Sequence, residues 1–162
     1  MPSSTPSTPS AFPWFYTAFF LYIEPVATAV GAYYAFLEQH QYMELTVPSV
    51  TGLAGVSTRE NVVLNQLANL YFVFALNEAF VLRVTNDHRV WSVFLLGLLI
   101  ADFGHLYSVN ALGWPVYYQF WNWNKMYWGN LGFVYLGATM RTAFLLGLGL
   151  PTTSSNPKKF KT

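Results

Sequence analysis

The sequence predicts an all-α integral membrane protein, a bundle of four transmembrane helices with a disordered N-terminal tail and both termini in the cytoplasm. Three observations carry that reading. Hydrophobic residues make up 54% of the chain and charged residues 9%, and so few charges cannot coat a water-facing surface. Four segments, about 13–37, 61–83, 90–112 and 128–150, approach or exceed the roughly 20 residues that a helix needs to cross a bilayer core. These runs are too long for membrane β-strands and lack their strict alternation.

Residues 1–12 open with "MPSSTPSTPS", a Ser/Thr/Pro-rich stretch without an apolar face, and are expected to be disordered. No positive charge begins the chain and the apolar run after it exceeds an h-region, so a cleavable leader is not expected. The transmembrane domain covers 13–150, and 151–162 form a basic C-terminal tail. The first span starts at Trp14, Phe15 and Tyr16, and the third at Trp91, positions suited to an interfacial aromatic belt. Pro25 follows Glu24 directly and is placed to kink the first span. The second span is the least hydrophobic, with Asn65, Gln66, Asn69, Asn77 and Glu78; the core helix of a soluble protein is its alternative reading. The short polar turn "TNDHR" separates it from the third. Before the fourth, "WPVYYQFWNWNKMYW" gathers four of the six tryptophans, as an interfacial belt or as a lid over a cavity. Arg83, Arg89, Lys158, Lys159 and Lys161 fall on the side of the termini and Arg59 and Lys125 on the other, which places the termini in the cytoplasm.

Several functions are excluded or unsupported. A net charge of +1 without a basic tract gives no footprint for nucleic acid. Zero cysteines remove disulfides, thiolate metal sites and a cysteine nucleophile. Neither a GxGxxG nor a phosphate-binding loop occurs, and no cofactor is expected. Ser108 follows His105 at i+3 but lacks the elbow motif of a serine hydrolase. His40 and His88 sit at opposite ends of the bundle from one another, so no metal site is expected.

The informative feature is charge inside the spans. An ionisable group at the bilayer centre costs about 2.5–3.5 kcal/mol on insertion scales and needs a partner or a purpose. From the helical rise, Glu24 lies about 16 Å, Asp102 about 18 Å and Arg141 about 14 Å from the cytoplasmic ends of their spans, with His105 roughly one turn deeper and Glu78 near 9 Å. Asp102 and His105, at i and i+3 in "ADFGH", share one helix face. Asn65, Gln66, Asn69 and Asn77 fall within about 120° of one another, and Asn130 and Arg141, eleven residues apart, point nearly the same way. These stripes are expected to converge on the interior. Ala27 with Gly31, and Gly97 with Ala101, give small-xxx-small spacings for close helix approach.

Two functions follow from this constellation. In the first, a polar cavity holds a hydrophobic terpenoid, sterol-like or polyketide-derived substrate for isomerisation or cyclisation. Glu24 or Asp102 donates a proton, His105 acts as base or relay, and Glu78 joins the acid/base set. Trp121, Trp123 and Trp128 could stabilise a carbocation, while Asn69, Asn77, Asn130 and Arg141 contact the substrate. In the second, the charges are structural, Arg141 pairing with Glu24 or Asp102, and the protein is a sterol or lipid binder or an accessory to a partner enzyme. Expected partners are the bilayer, a hydrophobic small molecule, and a second copy or partner enzyme. Four helices without an inverted repeat do not suggest an alternating-access transporter.

The blocks "YIEPVATAVGAYYAF", "NQLANLYFVFALNEAFVLR", "LLGLLIADFGHLYSV" and "WNWNKMYWGNLGFVYLGATMRTAFLLGLG" resemble a family of small fungal integral membrane proteins of unassigned function. That resemblance implies four spans and no particular reaction. More remotely, the layout is similar to the emopamil-binding (EXPERA-type) superfamily, which includes sterol isomerases and sterol-binding relatives. It implies four membrane helices with cytoplasmic termini, acidic positions at Glu24 and Glu78, and Asn130 and Trp128 near the aromatic end of a pocket; the expected compartment is the endoplasmic reticulum membrane. The isomerase keeps its histidine and acid on the second helix, whereas Asp102 and His105 lie on the third.

Overall fold

Pro25 shapes the first long helix. The computed structural model describes residues 12–48 and 55–151, and its first helix, α1 (Trp14–Leu37), is interrupted by a π-turn at Phe19–Ile23. Proline has no N–H to return to the carbonyl four residues back, that of Leu21. The helical register slips just before it, and the Arg83 guanidinium donates to the Leu21 carbonyl at 2.8 Å. The expected kink is thus a local change of register, braced from the turn that holds Arg83.

Glu38 leaves the helical region (φ −113, ψ 43) and α2 (Gln39–Thr46) turns away, an element not anticipated from the sequence. α3 (Thr58–Val81) starts with a capping box: Ser57 Oγ accepts from the Glu60 N–H, and the Ser57 N–H donates to the Glu60 carboxylate at 2.7 Å. That bond holds the Glu60 carboxyl below its ordinary range. Asp87 caps α4 (His88–Ser108) by accepting from the Arg89 and Val90 N–H groups. A short α5 (Pro115–Tyr118) follows. α6 runs over 125–145 with a second π-turn at Trp128–Gly132. No strand occurs among the described residues. Of the expected tails, 1–12 and 151–162, all but residues 12 and 151 lie outside the described residues.

Two helices, Trp14–Leu37 and His88–Leu112, are long and apolar enough to cross a membrane. α3 has 24 residues, comparable in length, but its amides and Glu78 dilute its hydropathy. α6 stops at Leu145 rather than near 150 because Gly147 adopts φ +75, a left-handed conformation suited to glycine. The Leu148 N–H bonds to Ala143 and the Gly147 N–H to Phe144, a Schellman cap. The Leu148 carbonyl then accepts from Tyr16 Oη at 2.8 Å, tying the two terminal helices together.

The long helices pack as two pairs, α1 on α3 and α4 on α6. One buried cluster joins the pairs at the end carrying the termini: Tyr16, Phe19, Phe20, Leu82, Trp91, Leu95 and Phe144. Trp91 and Tyr16, expected in an interfacial belt, are 1% exposed and belong to this core, while Trp14 is 78% exposed. A second cluster at the opposite end joins Ala35, Tyr42, Leu64, Ala68 and Met126. There Asn124 Nδ2 donates to the Leu45 carbonyl at 2.7 Å, fastening the start of α6 to the end of α2. Of the small residues, Gly31 faces the Tyr71 ring at contact distance, but Gly97 faces open space and supports no close helix approach.

Candidate functional site: a cavity over a buried ionic cluster

Between the two clusters the helix pairs part around a cavity of about 500 Å³, a size that suits a small organic ligand. Each long helix contributes one ionisable side chain to its floor: Glu24 from α1, Glu78 from α3, Asp102 from α4 and Arg141 from α6. Arg141 is 3% exposed and Glu78 2%. Its guanidinium donates through Nη2 to Glu24 and through Nη1 to Asp102 Oδ2 at 2.7 Å. Glu78 Oε1 stands 3.8 Å from Nη2, outside hydrogen-bond range, and has no hydrogen-bond partner. Sequence reasoning left Glu24 and Asp102 as alternative partners for Arg141; the guanidinium fork takes both, and so links the two helix pairs.

Gly137 permits this arrangement. It precedes Arg141 by one helical turn, and an arginine on a helix runs back over that turn. A Cβ at residue 137 would stand 2.6 Å from Arg141 Nη1 and 3.1 Å from Glu24 Oε1. Gly137→Ala is therefore expected to destabilise the protein by about 1–3 kcal/mol, as overpacking does, although glycine-to-alanine in a helix ordinarily stabilises by about 1 kcal/mol. Gly104→Ala on α4 is the control, since nothing lies within 4 Å of that Cβ. Thermal unfolding in detergent should move in opposite directions for the two variants; equal shifts would remove Gly137 from its role as cradle.

Along the cavity wall, one turn beyond Asp102, His105 presents Nε2 buried and without a hydrogen-bond partner. Its ring centroid is 6.3 Å from that of Tyr71. The main chain of Asn130, inside the second π-turn, lies beside this ring. π-turns are frequent at functional sites, and the second π-turn lines the cavity through Trp128, Gly129 and Asn130, while the first lies just before Glu24. Tyr34, Tyr42, Tyr71 and Lys125 also line it, and sequence reasoning missed all four. Tyr71 was legible, lying seven residues before Glu78 and hence on the same face.

Of the residues singled out from the sequence, Glu24, Glu78, Asp102, His105, Trp128, Asn130 and Arg141 meet in this cavity. Four do not. Asn69 and Asn77 are exposed on the opposite face of α3, because Leu64, Ala68, Ala75 and Glu78 take the buried one. The expected convergence of the amide stripe on the interior is corrected to Asn65 alone, which accepts from Gln39 Nε2 at 2.8 Å. Trp121 is 66% exposed and faces away. Trp123 acts indirectly: its ring packs edge-on to Trp128 with centroids 5.2 Å apart, and its Nε1 donates to the Val116 carbonyl at 2.8 Å. Ser108 Oγ is spent on the His105 carbonyl at 2.6 Å. No group of three metal-ligating side chains occurs among the described residues.

Fold and site define an all-helical protein with an internal cavity over a buried ionic cluster. The chain belongs to the family described as a domain of unknown function, DUF7704, whose model matches residues 9–151. No curated protein and no solved structure matches it.

Proposed function

We propose that the chain is a four-span membrane protein, with cytoplasmic termini in the endoplasmic reticulum membrane, that isomerises or cyclises a hydrophobic terpenoid, sterol-like or polyketide-derived molecule. Support for four spans comes from the outside of the bundle. On α4, Val93, Leu96, Ile100 and Phe103 are 48–73% exposed, and α1 and α3 present comparable apolar surface. An exposed apolar band of this extent marks a lipid-facing or interaction surface. Inside such a bundle, the charges of α3 and α6 point into the cavity rather than at lipid.

The observation that carries the chemistry is the inequality of the three carboxyl groups. Arg141 hydrogen-bonds Glu24 and Asp102 and leaves Glu78 without a donor. One guanidinium offsets one charge, so the cluster has room for a carboxyl that carries a proton. In this reading Glu78 is that acid, in place of the Glu24 or Asp102 expected from the sequence. It protonates a double bond of the substrate; His105, which also lines the cavity, removes a proton from a neighbouring carbon, and that proton returns to Glu78 before the next turnover. The double bond moves, or a ring closes, with no net change in protons or electrons. The faces of Trp128, Tyr34 and Tyr71 are placed to stabilise the cation between those steps.

The alternative is a lipid-binding or accessory protein, favoured by the hydrogen bonds that tie Arg141 to both Glu24 and Asp102. Lipid and metabolite profiling of a host deletion, rescued with wild type or His105→Ala, separates the two. Under the enzymatic reading an intermediate accumulates in the deletion, and folded His105→Ala does not clear it. Rescue of the wild-type profile by folded His105→Ala sinks the enzymatic reading.

A further inference from the structure

The cavity leaves three polar side chains of α3 unexplained. Gln66, Asn69 and Asn77 are exposed, and no hydrogen bond is made by any of their carboxamides within the described residues. They share one face with Val73 and Phe80, directly opposite the face that packs in the bundle. The other amides nearby behave differently: Gln39, Asn61 and Asn65 form a closed chain, with Asn61 Nδ2 to Gln39 Oε1 at 2.7 Å and Gln39 Nε2 to Asn65 Oδ1 at 2.8 Å. The protein thus pairs the amides beside Gln39 with one another and leaves the stripe of Gln66, Asn69 and Asn77 unsatisfied. On a spanning helix that stripe would face hydrocarbon, where an amide without a partner costs about 4–8 kcal/mol on an alkane scale. Asn69 stands at the middle of the helix, where water is least available.

We infer that this face of α3 is an interface for a second copy of the same chain, two α3 helices crossing in parallel about a two-fold axis along the membrane normal. The inference rests on the membrane-spanning reading above. Two features point to a second copy rather than a foreign partner. A carboxamide is both donor and acceptor, so a stripe of carboxamides is complementary to itself, which a two-fold interface requires. The stripe also has the right spacing: Gln66, Asn69, Val73, Asn77 and Phe80 follow one another by three or four residues, the seam of a helix pair. Along it, Asn69 meets its own counterpart, as an asparagine in a coiled-coil seam does. Hydrogen bonding of Ser, Asn and Gln side chains across helices is a recognised force for association inside membranes. The residues of α3 that line the cavity, Tyr71, Phe74 and Glu78, lie off this stripe, so pairing does not cover them.

The test uses the absence of cysteine from the sequence. Val73→Cys and, as a lipid-facing control, Val93→Cys are oxidised in native membranes and resolved by mass. Alkaline carbonate extraction of the same membranes checks the spanning reading separately. A disulfide-linked dimer for Val73→Cys and none for Val93→Cys is expected. Asn69→Leu with Asn77→Leu should weaken association by at least about tenfold in vesicle energy transfer, with thermal unfolding of the monomer unchanged. The inference is overturned if carbonate-resistant Val73→Cys stays monomeric, or cross-links only to another protein. It is overturned equally if the double leucine variant associates as wild type does. Release of the chain by carbonate overturns the spanning reading itself, a different result from a resistant monomer.

Discussion

Replacing Arg141 with leucine is expected to cost about 3–5 kcal/mol of stability, the usual consequence of removing one partner from a buried ion pair. The expectation is at the upper end because the guanidinium serves two partners at once, Glu24 and Asp102, from two different helices. Without it, carboxyl groups from α1, α3 and α4 remain together in a water-poor space, and the ionic tie between the two helix pairs is gone. Arg141→Lys should fall between wild type and leucine, since an ammonium keeps the charge but lacks the rigid fork that spans two acids. The diagnostic variant combines Arg141→Leu with Glu24→Leu and Asp102→Leu. Replacing a whole buried ionic set by apolar side chains is often neutral or stabilising, so the triple variant should unfold at a higher temperature than Arg141→Leu alone. Unfolding in detergent followed by circular dichroism reads all three. A single leucine variant as stable as wild type would show that the cluster does not hold the pairs together.

The second large effect concerns Glu78. Glu78→Gln keeps the shape of the side chain and removes the transferable proton. Glu78 pairs with Arg141 only at 3.8 Å and without a hydrogen bond, so the substitution should lower the unfolding temperature less than loss of either hydrogen-bonded acid. Turnover should drop by about 10²–10⁴-fold, the range for loss of a general acid. The same change at Asp102 or Glu24 breaks a hydrogen bond to Arg141 and should lower stability as well as turnover. That contrast separates the roles. In the deletion host, folded Glu78→Gln should leave the intermediate uncleared. If Glu78→Gln turns over normally while Asp102→Asn, equally well folded, does not, the proton donor is Asp102 and the roles are reversed.

Much of this protein is legible in its sequence, and the part that is not has a definite cause. Run lengths and the scarcity of charge define long helices, and helical rise alone places Glu24, Asp102 and Arg141 at similar depth. The requirement that buried charge be paired then brings them together. The cradle at Gly137 and the π-turn before Pro25 are also written locally, one turn from Arg141 and beside Glu24. What the tertiary structure decided was which way each helix turns. A helical wheel grouped Asn65, Gln66, Asn69 and Asn77 correctly, but Asn65 points inward and the others outward. In a water-soluble bundle the apolar stripe identifies the buried face, because the other face must meet water. α3 carries apolar side chains on both faces, Leu64, Ala68 and Ala75 inside and Leu70, Phe72, Val73 and Phe80 outside beside Gln66, Asn69 and Asn77. Where both faces of a helix carry apolar side chains, hydrophobicity does not tell the packed face from the other. The direction comes instead from shape, Gly31 of α1 receiving the Tyr71 ring of α3, and from the Arg141 guanidinium, which hydrogen-bonds Glu24 and Asp102 and stands 3.8 Å from Glu78 Oε1.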